Sequence, residues 1–215
     1  MIHAATALHH AACLCAKGES VQLQVVTQLV QMARQHLQQM WPWELANVVW
    51  ALAKMGYLDA AFVGALVQAA TSQLRSFKPQ ELANTARALA TLGHKDAAFM
   101  GALLQASTLH LSAFKPQHLA NTAWALATLG HEDAVLMSAL VQAATRQLGS
   151  STPQHLANTA WALATLGHED AAFMGDLVQA ATRQLRSFNS QNLANTALAL
   201  ATMGDVDTFV MCALL

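Results

Sequence analysis

The residues of this sequence that could do chemistry recur at a fixed spacing and do not gather around one site. Asparagines stand 37 residues apart, at Asn47, Asn84, Asn121, Asn158 and Asn195. A side-chain amide can make paired hydrogen bonds to the edge of a nucleobase. The asparagines therefore predict contacts to bases, or alternatively side-chain bonds to a neighbouring backbone that link repeats. Their sameness in all five copies favours the second interpretation.

Two other positions of this period vary in residue type, as a surface that distinguishes bases should. The first carries Glu44, Glu81, His118, His155 and Asn192. Recognition and simple solvated helix starts explain that position equally well. The second carries Trp50, Arg87, Trp124, Trp161 and Leu198. Trp and Arg can stack on bases, but indoles packed between repeats explain the tryptophans better. Arg87 is harder to bury, and we expect it to be partly exposed.

Histidines and cysteines suggest no metal site. His94, His131 and His168 also lie one period apart. Zinc ligands converge to about 2 Å from one ion, whereas packed helices lie about 8–10 Å apart. We interpret these histidines as turn residues. The three cysteines, Cys13, Cys15 and Cys212, fit neither a disulfide framework nor a zinc site, which favours a reducing compartment.

A pair of helices in each repeat must position the recurring side chains. The residues from Pro116 to Ala134 recur letter for letter from Pro153 to Ala171. The repeats run 42–78, 79–115, 116–152 and 153–189, with a partial repeat at 190–215 and a degenerate one at 1–41. A strict period of this size is typical of stacked repeats. In each copy we expect Pro to begin the first helix, Gly to end it and Asp to cap the second.

Helical periodicity separates the faces of both helices. In the repeat 153–189, the predicted core side of the first helix carries Leu156, Ala157, Ala160, Leu163 and Ala164. The predicted outward side carries Gln154, Asn158, Ala162 and Thr165. The second helix should run over about 171–187. Because one pair cannot bury both apolar stripes, neighbouring pairs must stack. The predicted fold is an all-α solenoid, a superhelix of about eleven helices in one array over 1–215.

Composition narrows the function classes. The net charge is −1, with 11 Lys+Arg against 12 Asp+Glu, so the chain lacks the basic excess typical of nucleic-acid binders. No apolar run of about 18 residues predicts membrane insertion. Residues 1–15 do not resemble a transit peptide. Without a phosphate loop, dinucleotide fingerprint or nucleophile elbow, we expect no enzyme, no cofactor and no small-molecule substrate. The chain ends part-way through a repeat, so we expect a fragment of a longer protein.

The motif Pro-Gln-x-Leu-Ala-Asn-Thr-Ala-Trp-Ala-Leu-Ala-Thr-Leu-Gly resembles the octotricopeptide repeat (OPR) family. The resemblance covers nearly the whole chain and implies paired helices, often followed in that family by a RAP domain. It also implies binding of organellar single-stranded RNA, with roles in transcript stability, processing, splicing or translation. The implied location is the chloroplast, or alternatively the mitochondrion.

We therefore predict sequence-selective binding of single-stranded RNA along the first helices, about one base per repeat. The predicted contacts are the five asparagines, the five residues of the first variable position, and Arg87. Phosphates would need the sparse cations Arg75, Lys78, Lys115, Arg146, Arg183 and Arg186. The alternative is a scaffold for protein–protein interactions, which the neutral charge and alanine-rich faces favour. A partial gene product without independent function is a further alternative.

Overall fold

The computed structural model describes residues 2–204, with side chains from residue 4 onward, and its regular structure there is entirely helical. The α-helices are α1 (Ile2–Ala16), α2 (Leu23–Gln35), α3 (Pro42–Met55), α4 (Ala60–Thr71), α5 (Pro79–Thr91), α6 (Ala97–Thr108), α7 (Pro116–Leu129), α8 (Ala134–Thr145), α9 (Pro153–Thr165), α10 (Ala171–Arg183) and α11 (Ser190–Thr202). Odd-numbered helices are the first helix of a repeat and even-numbered helices the second. The regular helix pairs confirm the predicted all-α repeat fold and are consistent with a solenoid.

The helices group into two compact units, Met1–Leu109 and His110–Leu215. In the first unit α3 packs against α1 and α5, and α4 contacts α6. In the second unit α9 packs against α7 and α11, and α8 contacts α10. Each unit is thus a layer of first helices covered by a layer of second helices. None of the helices in the described range has the length and apolarity needed to cross a membrane.

The proline, glycine and aspartate residues that begin and end the helices are those that the sequence predicts. Thr152 precedes Pro153, and its Oγ1 accepts the His155 N–H at 3.4 Å. Gly167 ends the same repeat's first helix with a φ of 62°, a left-handed conformation that glycine adopts without strain. The second helices α4, α6, α8 and α10 are each preceded by an aspartate whose Oδ1 accepts a backbone N–H at 2.8–2.9 Å, as made by Asp59, Asp96, Asp133 and Asp170, whereas α2 has no such cap. Asp207, the fifth predicted cap, lies outside the described residues.

The core side of α9 is as predicted, but part of the outward side is not. The five predicted core residues of α9 are all buried, and Gln154 and Thr165 are exposed. Asn158, however, is only 8% exposed and Ala162 is fully buried. The prediction that these two are open to solvent is wrong, although both lie opposite the core stripe, because α9 lies packed between α7 and α11.

The second helices are shorter than predicted, and each is followed by a short 3-10 turn. The α10 helix ends at Arg183, and residues Leu185–Ser187 form the 3-10 turn. Gln184 has φ −115° and ψ 12°, outside the α-helical region, and this breaks the hydrogen-bond ladder. Its side chain instead reaches the preceding repeat, where Nε2 donates to the Ser151 carbonyl at 3.0 Å.

The same bond between repeats recurs in both units. Gln147 Nε2 donates to the Phe114 carbonyl at 2.8 Å, and Gln73 Nε2 donates to the Met40 carbonyl at 3.1 Å. The acceptors belong to buried residues at the end of the previous 3-10 turn, where a helix no longer supplies donors. Glutamine therefore links the repeats, a role for which the sequence had suggested asparagine.

Candidate nucleic-acid interface

The first helices present a row of side chains on the side away from their core residues, which we call the open face. It consists of the residues at the repeat positions of Gln154, Asn158, Trp161 and Thr165, whose spacing of four, three and four places them on one side of a helix. On α3 these residues are Trp43, Asn47, Trp50 and Lys54, and on α5 they are Gln80, Asn84, Arg87 and Thr91. The open face of α7, α9 and α11 carries Gln117, Asn121, Trp124, Thr128, Gln154, Asn158, Trp161, Thr165, Gln191, Asn195, Leu198 and Thr202.

The asparagines lie at the middle of the open face but differ in access. Asn121 and Asn158 are 6% and 8% exposed, whereas Asn47, Asn84 and Asn195 are half-buried. Within the described residues, the side-chain amides of Asn47, Asn84, Asn158 and Asn195 take part in no hydrogen bond. Among residues 2–204 these four amides therefore hold no neighbouring backbone. Their amide groups keep the capacity to bond a ligand.

The first variable position caps the helix start. Glu44 Oε2 accepts the Trp41 N–H at 2.9 Å, and Glu81 Oε2 accepts the Lys78 N–H at 2.8 Å. These bonds complete the reciprocal half of a capping box. Glu44 is only 2% exposed, so the alternative of a solvated helix start is wrong there.

Histidine makes the same cap in later repeats. His118 Nδ1 accepts the Lys115 N–H at 3.2 Å, and His155 Nδ1 accepts the Thr152 N–H at 3.3 Å. Nδ1 can accept only when the imidazole is neutral with its proton on Nε2. Burial lowers the pKa of both histidines, and the Lys115 charge lowers the pKa of His118 further, which favours this neutral form.

Asn192 occupies the same position on α11 and is 8% exposed. Here the cap comes from Asn189, whose Oδ1 accepts the Asn192 N–H at 2.8 Å. Contact of this variable position with RNA stays a prediction. The geometry turns the two carboxylates and the two imidazoles toward the helix start, so they are poorly placed to meet a base.

The second variable position forms contacts between aromatic rings of adjacent repeats. The rings of Trp124 and Trp161 lie 6.4 Å apart between centroids, with 33° between their planes. His9 of α1 stacks on Trp50 at 4.9 Å and 29°. The indoles therefore pack between repeats, yet all three remain half-exposed on the open face. Arg87 is partly buried, as expected, and its burial lowers its pKa.

An open depression of about 360 Å³ lies between α3 and α5. Trp50, Lys54, Arg87 and Thr91 line it, together with two alanines. The sequence prediction missed Lys54. The signal was present, because the later first helices α5, α7, α9 and α11 carry threonine at the position of Lys54, as Thr91, Thr128, Thr165 and Thr202.

The cations predicted to bind phosphate lie elsewhere. Lys78 and Lys115 occupy the N-cap positions of α5 and α7. Arg75 and Arg186 lie in 3-10 turns, whereas Arg146 and Arg183 lie at the C-terminal ends of α8 and α10. All six are exposed, but none belongs to the open face. Over residues 4–204 there is also no cluster of three His, Cys, Asp or Glu side chains that could hold a metal ion.

A known family matches most of this architecture. The family described as "Tbc2 translation factor, N-terminal domain" matches residues 2–134, well over half of the 215-residue chain. The match begins with α1 and includes α3, α5 and α7, so the depression beside Trp50 lies within it. No curated protein matches the chain. On the extent of the family match, the chain belongs to the family of the Tbc2 translation factor N-terminal domain.

Proposed function

We propose that this chain binds single-stranded RNA along the open face of its first helices and serves in translation. The observation that carries the proposal is the pair of half-buried asparagines Asn47 and Asn84 on α3 and α5, whose amides show no hydrogen bond to another described residue. Each amide lies one helical turn from a half-exposed ring or guanidinium at the second variable position. The membership in a family described as a translation factor supports the same conclusion.

In this proposal a repeat offers one amide and one stacking surface to one nucleotide, as α3 does through Asn47 and Trp50. The amide bonds a base edge, and Trp50, Trp124 or Trp161 supports the base by stacking, which is worth about 1–3 kcal/mol per base. Selectivity then comes from the second variable position and from the differing exposure of the asparagines. We place Glu44 and His118 outside the RNA contacts, because both are committed to helix caps.

The finer parts of the proposal rest on the resemblance to octotricopeptide repeats. They are a non-enzymatic role on an organellar transcript, and a location in the chloroplast, with the mitochondrion as the alternative. The motif that carries them is strongest in α7 and α9, where Pro116 to Ala134 and Pro153 to Ala171 are identical.

The test is selection from a random single-stranded RNA pool, followed by titration of the enriched sequence at two salt concentrations. We expect an enriched motif and an affinity that falls with salt, as phosphate contacts require. The variants Asn47→Leu and Asn84→Leu should weaken binding of the selected RNA, whereas Gln142→Leu, an exposed residue of the second helix α8, should not. If the chain retains no RNA at low salt, the proposal fails.

A protein-binding scaffold is the second candidate, and one observation favours it. Residues 110–215 contain four Lys+Arg and seven Asp+Glu, a net charge of −3, and the open face of α11 exposes 58% of Leu198. An acidic unit with an exposed aliphatic side chain suits a basic, partly apolar partner better than a polyanion. Binding of a basic amphipathic peptide by residues 110–215, together with no binding of RNA by the whole chain, would select this alternative.

A further inference from the structure

Two departures from the repeat pattern meet at one place in the structure. Lys54 stands where the later first helices carry threonine, and Arg87 stands where three of the other four carry tryptophan. The two positions are 33 residues apart in sequence, yet both line the depression between α3 and α5. Each departure adds a positive charge, so this depression carries two cations where the common repeat pattern would supply none.

The depression combines the groups that a nucleotide requires. Its volume of about 360 Å³ falls within the range of about 300–1,000 Å³ that is usual for ligand sites. Trp50 supplies an aromatic ring, Lys54 and Arg87 supply cations, and Thr91 supplies a hydroxyl group. Among the residues that the structure describes, no carboxylate lines the depression, so an anion meets cationic and neutral groups there.

The ring is held in place by its neighbour on α1. His9 stacks on Trp50 with 4.9 Å between ring centroids, which restricts the rotation of the indole. A stacking surface that is already ordered loses less conformational entropy when a ligand binds. Guanidinium and ammonium groups bind phosphate through charge-assisted hydrogen bonds.

We propose that this depression is a subsite for one phosphate-bearing nucleotide, with the base stacked on Trp50 and the phosphate held by Lys54 and Arg87. The subsite rests on the proposed RNA binding and makes it more specific: one nucleotide of the bound strand is anchored electrostatically at α3 and α5. The later repeats bind through neutral groups. A free nucleotide offers the same chemistry, so the experiment must distinguish it from a strand.

The experiment uses variants in which a residue of the depression is replaced by the residue that other repeats carry at the equivalent position. Lys54→Thr combined with Arg87→Trp restores the common pattern, and Trp50→Leu copies the residue of α11. Binding of the selected RNA oligonucleotide is measured at several salt concentrations, and binding of adenosine monophosphate by isothermal titration. We expect the double variant to reduce the salt slope by about 0.7, because the subsite neutralises one phosphate and each neutralised phosphate of a single strand adds about 0.7 to the slope. We expect Trp50→Leu to weaken binding by about 5- to 100-fold with little change in slope.

Two controls separate binding from folding. The double variant Arg146→Thr and Arg183→Thr removes the same charge from the ends of α8 and α10 and should keep the wild-type slope. Trp50→Phe keeps an aromatic ring and should retain most of the affinity, and a loss as great as that of Trp50→Leu would overturn the stacking role. Circular dichroism of each variant reports helix content.

The outcomes are distinguishable. RNA binding with an unchanged slope in the Lys54 and Arg87 double variant would overturn the subsite and leave the proposed function standing. Adenosine monophosphate binding that the variants abolish, without RNA binding by the wild type, would support the subsite for free nucleotides and overturn the RNA function. Binding of neither ligand by the wild type would overturn both.

Discussion

The two units of the chain share one scaffold and differ in the chemistry that it displays. Residues 1–109 contain seven Lys+Arg and five Asp+Glu, a net charge of +2, whereas residues 110–215 have a net charge of −3. The open face of α3 and α5 carries Lys54 and Arg87. The open face of α7 and α9 carries the paired indoles of Trp124 and Trp161 and no charge. The aspartate caps of the second helices α4, α6, α8 and α10 are alike in both units, so surface chemistry can change between repeats while these helix starts stay the same.

The helix caps show the same principle. In the first unit the capping box uses the carboxylates of Glu44 and Glu81, whereas in the second it uses the imidazoles of His118 and His155. Either group accepts the same backbone N–H. The substitution keeps the geometry and changes only how the cap responds to pH.

The largest expected effect is a loss of stability when the glutamine bond between repeats, which both units share, is removed. Gln147→Leu removes the donor to the Phe114 carbonyl, and Gln73→Leu removes the donor to the Met40 carbonyl. Because each carbonyl belongs to a buried residue, either variant should lower the free energy of unfolding by about 1–3 kcal/mol. Urea unfolding followed by circular dichroism measures both. A loss of stability in one variant and none in the other would show that the glutamine bond stabilises the repeats of one unit and not those of the other.

The next prediction concerns a variant in which the second unit receives the two open-face cations of the first. Thr128→Lys combined with Trp161→Arg gives α7 and α9 the cations of α3 and α5. We expect the selected RNA to bind about tenfold more tightly at low salt, equivalent to about 1.4 kcal/mol. We expect the salt slope to increase by about 0.7, because the new site neutralises one phosphate. The neutral double variant Thr128→Ser and Trp161→Phe is the matched control. If both double variants bind the RNA with equal affinity, the cations do not account for the difference between the units.

A smaller effect concerns the aspartate caps. Asp133→Ala should cost about 1 kcal/mol of stability, because the Leu136 N–H loses its acceptor. Asp59→Ala removes the same cap from α4 and also an ion pair with Arg34 at 2.8 Å. That pair is partly exposed, so it should add only about 0–1 kcal/mol. Thermal unfolding of both variants measures the difference, and a much greater loss in Asp59→Ala would mean that the ion pair is a major support of the first unit.

The smallest expected effect is the response to acid. The pKa of His118 and of His155 is lowered in the folded chain, so the unfolded chain binds more protons as the pH falls below about 6.5. The contribution of these two caps is therefore complete above that pH and is lost as the pH falls through their folded pKa. The double variant His118→Glu and His155→Glu copies the caps of the first unit. Stability measured between pH 7.5 and 5 should depend less on pH in this variant, and an unchanged dependence would place the pH response elsewhere.

Much of this protein follows from the sequence alone, because the controlling interactions are local. The proline and glycine that bound the first helices and the aspartates that cap the second ones act within one helical turn, and the 37-residue period can be seen directly in the sequence. The apolar stripe of α9, from Leu156 to Ala164, follows from the period of an α-helix. Family membership added the link to translation, which no single residue reveals.

The remaining features depend on how far apart neighbouring helices lie, and only the tertiary structure decided them. The flanking helices buried Asn158 and Ala162, although the helical period places both on the outward side. Gln147 reached a carbonyl 33 residues away, a bond that no local pattern encodes. Lys54 and Arg87 look unrelated in the sequence and line one depression in the fold. Spacing along one helix fixes a side chain's direction, but its neighbours across the repeat decide whether it is buried, bonded or open to a ligand.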